Sequence, residues 1–254
     1  MAISIKTARE IDLMRAAGEI VGEVLELMRQ HVQPGITTAE LDQIAREHIT
    51  ARGGKPSFLG YHGFPASICS SVNAEIVHGI PGSQVLQEGD IISVDVGVIR
   101  HGYHGDAALT LPVGTVSEEA QRLIETTEGA FQAGIAKAVP GNRLGDISAA
   151  IQEYSESRGF ELVREYVGHG IGREMHEEPQ VPNFGVANTG PRLRQGMTLA
   201  IEPMLTIGSA STQVLKDGWT VVTASGGLSA HFEQTIAITT KGPVLLTATP
   251  DRVV

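Results

Sequence analysis

Cysteine is almost absent from this sequence, since Cys69 is the only one among 254 residues. A single cysteine excludes an internal disulfide and a cysteine-based zinc site, which indicates a reducing compartment. Long hydrophobic runs are also missing, because no stretch approaches the ~20 apolar residues that a membrane-spanning helix needs. The N-terminus has no apolar run of signal-peptide length. We therefore expect a cytoplasmic protein with no membrane partner.

Positive charge is scarce as well. The chain has 19 Lys and Arg residues against 29 Asp and Glu residues, which gives a formal net charge of −10. A surface this acidic repels phosphate backbones and anionic lipid, so nucleic acid is a poor partner. It favours small or cationic ligands such as divalent metals and free amino termini. The hydrophobic share of 41% is typical of a globular protein.

The same order of predicted helices and breaks occurs twice along the chain. Thr7 and Thr37 each precede a glutamate by three residues and open predicted helices as capping boxes. After Ser117 a long helix, predicted to reach Ala138, and then a short helix follow again. The recurring segments are Pro34-Gly35 with Pro140-Gly141, Arg52-Gly53 with Arg158-Gly159, His78-Gly79-Ile80 with His169-Gly170-Ile171, and Glu88-Gly89 with Gln195-Gly196. We interpret the chain as a single catalytic domain, 1-254, duplicated internally with halves at about 7-115 and 116-245. A site at the junction would draw residues from both halves.

Two aspartates lie on a predicted β-hairpin. The strand over residues 91–99 has an apolar row on one face and Asp95 on the other. A tight turn centred on Arg100-His101 would place Asp106 directly opposite Asp95, with Cβ atoms roughly 5 Å apart. Opposed carboxylates destabilise a hairpin unless a cation lies between them. Two solvated surface aspartates are the alternative, but the apolar opposite face favours metal ligation.

Two glutamates lie in other extended stretches. Glu202 belongs to the apolar run 198–205, where Pro203 favours an extended backbone, and Glu233 belongs to the alternating run 230–239. Taken singly, each is more often a surface residue at a sheet edge. Together, four carboxylates on predicted strands indicate a shared cation site. His169, flanked by two glycines that allow close approach of a ligand, becomes a fifth candidate ligand.

These residues resemble a known family. The order and spacing of the five candidate ligands are similar to those of the methionine aminopeptidases, which share the pita-bread fold with aminopeptidase P and prolidase. The segment 166–176 resembles the type I signature closely, as do the segments 71–73, 78–81 and 216–219. The resemblance covers roughly residues 5 to 245. It implies an α+β pita-bread fold, with two pseudo-twofold-related halves whose antiparallel sheets are covered by helices.

The resemblance also implies an activity. The protein would be a metal-binding hydrolase that removes the initiator methionine from nascent polypeptides when the second residue is small, by attack of a metal-activated hydroxide on the peptide carbonyl. Two divalent ions (Co, Mn, Fe, Ni or Zn) would be held by Asp95, Asp106, His169, Glu202 and Glu233, with Asp106 and Glu233 shared between them. Glu202 would transfer the proton. His176 would stabilise the carbonyl oxygen, and His78 would contact the scissile amide nitrogen. Without the resemblance, both histidines would be interpreted as surface residues.

A methionine pocket is the next implication. Its positions in this chain are Phe58, Tyr61, Phe64, Cys69, Met175 and Trp219. From the residues alone, ordinary core packing explains each of them equally well. Some relatives have a smaller residue or cysteine where this chain has Phe58, and a threonine where it has Gly97. Asn73 and Ser229 match positions that hold a monovalent cation in the family.

The implied partners are the N-termini of nascent polypeptides, and the resemblance leaves open whether they are met at the ribosome. The family implies a monomer. Two rival interpretations remain at this stage. One is a pita-bread peptidase that cleaves beside proline, against which the chain length and the signature ending at His176 argue. The other is a binding protein with an inactive pita-bread fold, which would be expected to lack some of the metal ligands.

Overall fold

The structure is a computed structural model that describes residues 2–248, so both ends of the predicted 1-254 domain lie outside the described residues. The α-helices of the described part are α1 (Ala8–His31), α2 (Thr38–Ala51), α3 (Glu118–Ile135) and α4 (Leu144–Glu156). The strands are β1 (Lys55–Pro56), β2 (Cys69–Val72), β3 (Glu75–Val77), β4 (Ile91–Arg100), β5 (Tyr103–Pro112), β6 (Glu161–Leu162), β7 (Gly168–Gly170), β8 (Glu177–Val181), β9 (Thr198–Ile201), β10 (Met204–Thr206), β11 (Thr212–Val214), β12 (Val221–Thr223), β13 (Ser229–His231), β14 (Glu233–Thr239) and β15 (Gly242–Leu245). None of the described helices has the length and apolar character needed to cross a membrane.

Local signals in the sequence start the helices. Thr7 caps α1: the Glu10 N–H donates to Thr7 Oγ1 over 3.3 Å, and the Thr7 N–H donates to the Glu10 carboxylate over 2.9 Å. Thr37 and Glu40 form the same capping box at α2. Both predicted capping boxes are therefore confirmed. Helix α3 ends at Ile135, three residues before the predicted end at Ala138.

One antiparallel sheet spans both halves of the chain. Its strands follow the order β1-β4-β5-β14-β9-β7-β8, with β2 paired to β4 and β15 paired to β14. The halves join where β5 pairs with β14. Two three-stranded sheets, β13-β10-β6 and β11-β12-β3, complete the strands of the described part.

Helices cover the sheet through two large apolar clusters. On one side, residues of α1 and α2 pack against Ile92, Val94, Val96 and Val98, the apolar row of β4. Residues of α3 and α4 pack with those of β9 and β14 in a second cluster. Because strand side chains alternate between faces, burying these rows leaves the opposite face of the central strands for polar groups.

The backbone at two recurring segments has the same conformation in each half. Gly35 and Gly141 have φ of 97° and 98°, and Gly89 and Gly196 have φ of 91° and 86°. Such values are accessible to glycine and costly for most other residues. The duplication predicts this match. The proposed limits of the halves, 7-115 and 116-245, stay a prediction.

The predicted register of the hairpin is wrong. The turn between β4 and β5 is His101-Gly102, with φ of 53° and 78°, which suits the twist of a two-residue hairpin. Asp95 therefore pairs with Ala108, and Gly97 pairs with Asp106. The two aspartates lie diagonally on one face instead of directly opposite. The prediction centred the turn one residue too early, on Arg100-His101.

The two extended runs are not continuous strands. The run 198–205 breaks at Glu202-Pro203 between β9 and β10, and the run 230–239 breaks at Phe232 between β13 and β14. A proline lacks the N–H that a continuing ladder requires. At both breaks the chain passes between the large sheet and the β13-β10-β6 sheet. Glu202 therefore lies at a junction of two sheets.

Candidate metal centre and substrate cavity

One cavity of about 150 Å³ collects the predicted site residues. It is lined by Phe58, Tyr61, Phe64, Cys69, His78, Asp95, Asp106, His169, Met175, His176, Glu202, Trp219 and Glu233. The structure thus brings together every residue predicted for metal binding, catalysis and substrate binding. Both halves of the chain contribute to the cavity.

The register of the central strands positions three of the carboxylates. Ala108 of β5 pairs with Asp95 of β4 on one side and with Glu233 of β14 on the other. Asp106, two residues before Ala108, shares its face. The small alanine side chain lies in the row between Asp95 and Glu233, so the space between these carboxylates stays unfilled by a bulky group.

His169 faces two of the carboxylates. Its Nε2 lies 3.9 Å from Asp106 Oδ2 and 3.6 Å from Glu202 Oε1. Its Nδ1 lies 2.9 Å from the carbonyl oxygen of Gly170. Because a carbonyl accepts, Nδ1 carries the proton and donates, which leaves the Nε2 lone pair facing the carboxylates. Donor atoms of Asp106, His169 and Glu233 all lie within 4.8 Å of one another.

The cluster lacks a positive partner among the described groups. Asp95 Oδ1, Asp106 Oδ1 and Glu233 Oε1 are buried and have no hydrogen-bond partner. Burial raises the pKa of Asp95 to about 7. Burial and the neighbouring negative charges raise the pKa values of Asp106, Glu202 and Glu233 well above their ordinary range.

Buried carboxylates are normally paired or bound to a metal. Four carboxylates and one imidazole form a donor set suited to divalent first-row metals. The residues present therefore fit a divalent metal site, and this supports the metal-binding prediction.

Two further histidines lie beside the cluster. The ring centroid of His176 is 4.2 Å from that of His169, and His176 Nδ1 lies 2.7 Å from the Tyr61 hydroxyl. His78 follows β3 with φ of 61°, and its ring packs edge-on against Tyr166 and Trp219. Burial lowers the pKa of His78 to about 4 and lowers the pKa of His176. Both rings are therefore neutral near pH 7, with one N–H each.

The predicted pocket residues form an apolar cluster of their own. Phe58, Phe64, Cys69 and Met175 are buried, and Tyr61 and Trp219 pack against them partly exposed. The Phe64 ring meets Trp219 edge-on at 5.1 Å and Phe58 at 6.4 Å. Burial raises the pKa of the Cys69 thiol well above its ordinary value, so the thiol stays protonated and contributes a neutral, polarisable sulfur to the cavity. These residues pack together and line the cavity at the same time.

Asn73 and Ser229 are held together by a backbone hydrogen bond, since the Ser229 N–H donates to the Asn73 carbonyl over 2.9 Å. The Asn73 amide donates to Asp90 and accepts from the Ile91 N–H, and the Ser229 hydroxyl donates to the Leu205 carbonyl. Their side chains thus have protein partners. A monovalent cation between them stays a prediction.

Sequence reasoning missed one residue of this region, His231. Its Nε2 is buried without a hydrogen-bond partner, 3.7 Å from Glu202 Oε2 and 3.8 Å from Glu233 Oε2. Donor atoms of these three residues lie within 4.8 Å of one another. The available signal was its place two residues before Glu233 in the run 230–239, because interpreting that run as one continuous strand predicts both residues on one face.

Several known proteins are similar to this chain in sequence and in structure. Residues 12–240 match metallopeptidase family M24. The methionine aminopeptidase of Clostridium perfringens is 58% identical over 245 residues, 96% of this chain and 98% of that protein. Methionine aminopeptidase 1 of Bacillus subtilis is 55% identical over 242 residues, 95% and 98% of the two chains. The crystal structure of methionine aminopeptidase from Thermotoga maritima is 47% identical with a TM-score of 0.96, and the match covers 97% of this chain and 100% of that one. The predicted pita-bread fold class is confirmed.

Proposed function

Because the chain belongs to metallopeptidase family M24 and is a methionine aminopeptidase within it, we propose that it removes the N-terminal methionine of nascent polypeptides whose second residue is small. One observation carries this proposal: the buried carboxylates line the same cavity as the apolar cluster of Phe58, Tyr61, Phe64, Cys69, Met175 and Trp219. A terminal methionine fits this arrangement, with its side chain against the apolar cluster and its peptide bond beside the carboxylates.

The cluster suits two divalent ions. Two such ions would balance the charge of the four carboxylates, with Asp106 and Glu233 shared, Asp95 completing one set, and His169 with Glu202 completing the other. Mn, Fe, Co, Ni and Zn all accept this mixture of oxygen and imidazole donors, and availability decides among them. When bound, the ions would lower the pKa of a water molecule and so supply a nucleophile for the peptide carbonyl.

The chain's own residues then move the protons. Glu202 is the general base: its carboxylate accepts the proton of the attacking water and returns it to the leaving amide nitrogen. The Tyr61 hydroxyl donates to His176 Nδ1, which leaves the imidazole proton on Nε2. That N–H donates to the carbonyl oxygen as negative charge develops there. His78 contacts the scissile amide nitrogen.

The shape of the cavity determines which residues are accepted on each side of the scissile peptide bond. Aromatic rings, the Cys69 thiol and the Met175 thioether suit a methionine side chain, because soft and polarisable groups pack well together. The amide of the second residue must lie between His78 and the carboxylates, which leaves little room beside its Cα. Gly, Ala, Ser, Thr, Cys, Pro and Val should fit there. A displacement of even about 1 Å from the attacking water can cost roughly 10²-fold in rate, so bulky second residues should lose turnover.

The test compares three peptides on one enzyme preparation. We expect kcat/KM to be high for Met-Ala-Ser, low for Met-Lys-Ser because of the second residue, and low for Leu-Ala-Ser because of the first. Chelation should abolish cleavage of Met-Ala-Ser, and added Mn²⁺ should restore it. Equal rates on Met-Ala-Ser and Met-Lys-Ser would refute the steric rule, and a preference for Leu-Ala-Ser would refute the methionine pocket.

We further propose that the enzyme acts in the cytoplasm, as a monomer, on N-termini that emerge during synthesis. The net charge of −10 supports attraction of positively charged amino termini. Sedimentation with and without ribosomes tests where the substrate is met, and light scattering on the purified chain tests the monomer.

A further inference from the structure

His231 is a buried side chain that the proposed mechanism does not use. It is 2% exposed and lies in β13, where it pairs with Met204 of β10. Its backbone is fixed by Thr110: the His231 N–H donates to the threonine hydroxyl over 2.8 Å, and the hydroxyl donates to the His231 carbonyl over 2.9 Å. The ring is therefore presented from a firmly held piece of sheet.

The ring approaches two glutamates from one side. Its Nε2 lies 3.7 Å from Glu202 Oε2 and 3.8 Å from Glu233 Oε2, and it has no hydrogen-bond partner among the described groups. A buried polar nitrogen without a partner is unfavourable and rare in native proteins. We therefore expect His231 Nε2 to have a hydrogen-bond acceptor when metal occupies the site.

Each glutamate has one oxygen toward His231 and the other elsewhere. Glu202 Oε1 lies 3.6 Å from His169 Nε2, on the side of the predicted ligands. Glu233 Oε1 is buried and has no hydrogen-bond partner among the described groups. One carboxylate oxygen of Glu233 also lies within 4.8 Å of ligand atoms of Asp106 and His169. Glu202 Oε1 thus faces the predicted ligand His169, Glu233 Oε1 has no hydrogen-bond partner among the described groups, and both Oε2 atoms face the imidazole of His231.

We propose that His231 is a positioning residue of the metal centre, whose Nε2–H donates to the Oε2 atoms of Glu202 and Glu233. A shift of less than about 1 Å closes either gap to ordinary hydrogen-bond length. The hydrogen bond fixes the rotation of the carboxylates, so that the opposite oxygen points at the ion. Groups that hold metal ligands in this way typically change metal affinity by about 10- to 100-fold when they are removed. This inference rests on the proposed metal centre, but not on the proposed substrate.

The experiment measures Mn²⁺ binding to the chelator-treated full-length protein by titration calorimetry, without substrate. His231→Leu should weaken the affinity by roughly 10- to 100-fold. His231→Gln, which keeps an N–H donor on a side chain of similar reach, should recover most of it. Thr206→Val is the matched control, because Thr206 is a buried residue of β10 whose hydroxyl also lacks a partner. This control should bind Mn²⁺ like the unmodified protein.

Unchanged Mn²⁺ affinity in His231→Leu would overturn the inference, as would an equal loss in Thr206→Val. Pulsed electron paramagnetic resonance of the Mn²⁺-loaded protein gives a second criterion. If His231→Gln removes an imidazole nitrogen coupling, the histidine is a metal ligand and the positioning role is wrong. If His231→Leu fails to fold, His231→Asn, which shortens the reach, takes its place. A protein that binds Mn²⁺ with this dependence but does not cleave Met-Ala-Ser would refute the proposed function alone.

Discussion

A single methyl group added at Gly97 should narrow the methionine pocket. Gly97 lies two residues after Asp95 on the same face of β4 and pairs with Asp106. An ideal Cβ at this position would lie 2.9 Å from Ser57 Cβ, 3.0 Å from Phe58 Cε1 and 3.2 Å from Met175 Cε, whereas ordinary contacts are 3.4–4 Å. All three contacts would be too short, so the groups that are free to move must shift by a few tenths of an ångström.

The geometry decides which neighbours move. The Ser57 N–H donates to the Gly97 carbonyl over 2.8 Å, so Ser57 is held close to the strand. The Phe58 ring and the flexible end of Met175 must then shift, and both line the cavity of about 150 Å³. Overpacking of this kind typically costs about 1–3 kcal/mol. If methionine binding must push these side chains back, KM should rise by roughly 5- to 150-fold.

The assay is steady-state hydrolysis of Met-Ala-Ser by Gly97→Ala, with kcat and KM determined separately. Most of the loss should fall on KM, because the methyl group lies under the pocket wall and not on the proton-transfer path. Gly82→Ala is the matched control, since its Cβ would meet only Ile80 O at 3.9 Å. Phe58→Ala removes a pocket residue and should itself raise KM, but in that background the added methyl group at Gly97 should raise KM less than it does in the unmodified protein. An unchanged KM in Gly97→Ala, or an equal rise in both backgrounds, would refute the steric reasoning.

Three other predictions concern charge and proton transfer. His176→Ala should lower kcat by roughly 10²-fold or more, the usual loss when one donor to a developing oxyanion is removed. Calorimetry should still find normal Mn²⁺ binding. Loss of Mn²⁺ binding would contradict the role of His176 as a hydrogen-bond donor outside the metal ligands. Tyr61→Phe should lower kcat more than it raises KM, and nitrogen NMR of His176 should show a smaller share of the Nε2–H tautomer; an unchanged tautomer ratio would count against the hydroxyl as donor. Because burial raises the pKa of Asp95 to about 7, the metal-free protein should lose stability as pH rises from about 4, the ordinary pKa of an aspartate, to 7. Bound metal requires ionised carboxylates, so the Mn²⁺-induced increase in Tm should be larger at pH 8 than at pH 5, and equal increases would contradict the pKa assignment.

Several features of this protein follow from short stretches of sequence. Thr7 and Thr37 start helices because a hydroxyl and a glutamate three residues later satisfy backbone groups that the first turn leaves open. The alternation around Asp95 places it on the polar face of β4, because strand side chains have a period of two. The types of the five predicted ligands already indicated a cation, since buried like charges need one. Such signals act over a few residues, so the sequence alone contains them.

The remaining features of the site depend on how the strands pair and pack in the folded chain. The turn at His101-Gly102 fixed the hairpin register, which put Ala108 between Asp95 and Glu233 and moved Asp106 to a diagonal position. A shift of one residue in the turn changes every cross-strand partner. The strand breaks beside Glu202 and Glu233 depend on two sheets meeting there. The approach of His231 to both glutamates depends on β13 pairing with β10, an arrangement that exists only once the chain has folded, because segments far apart in sequence must pack before those atoms come within 4 Å.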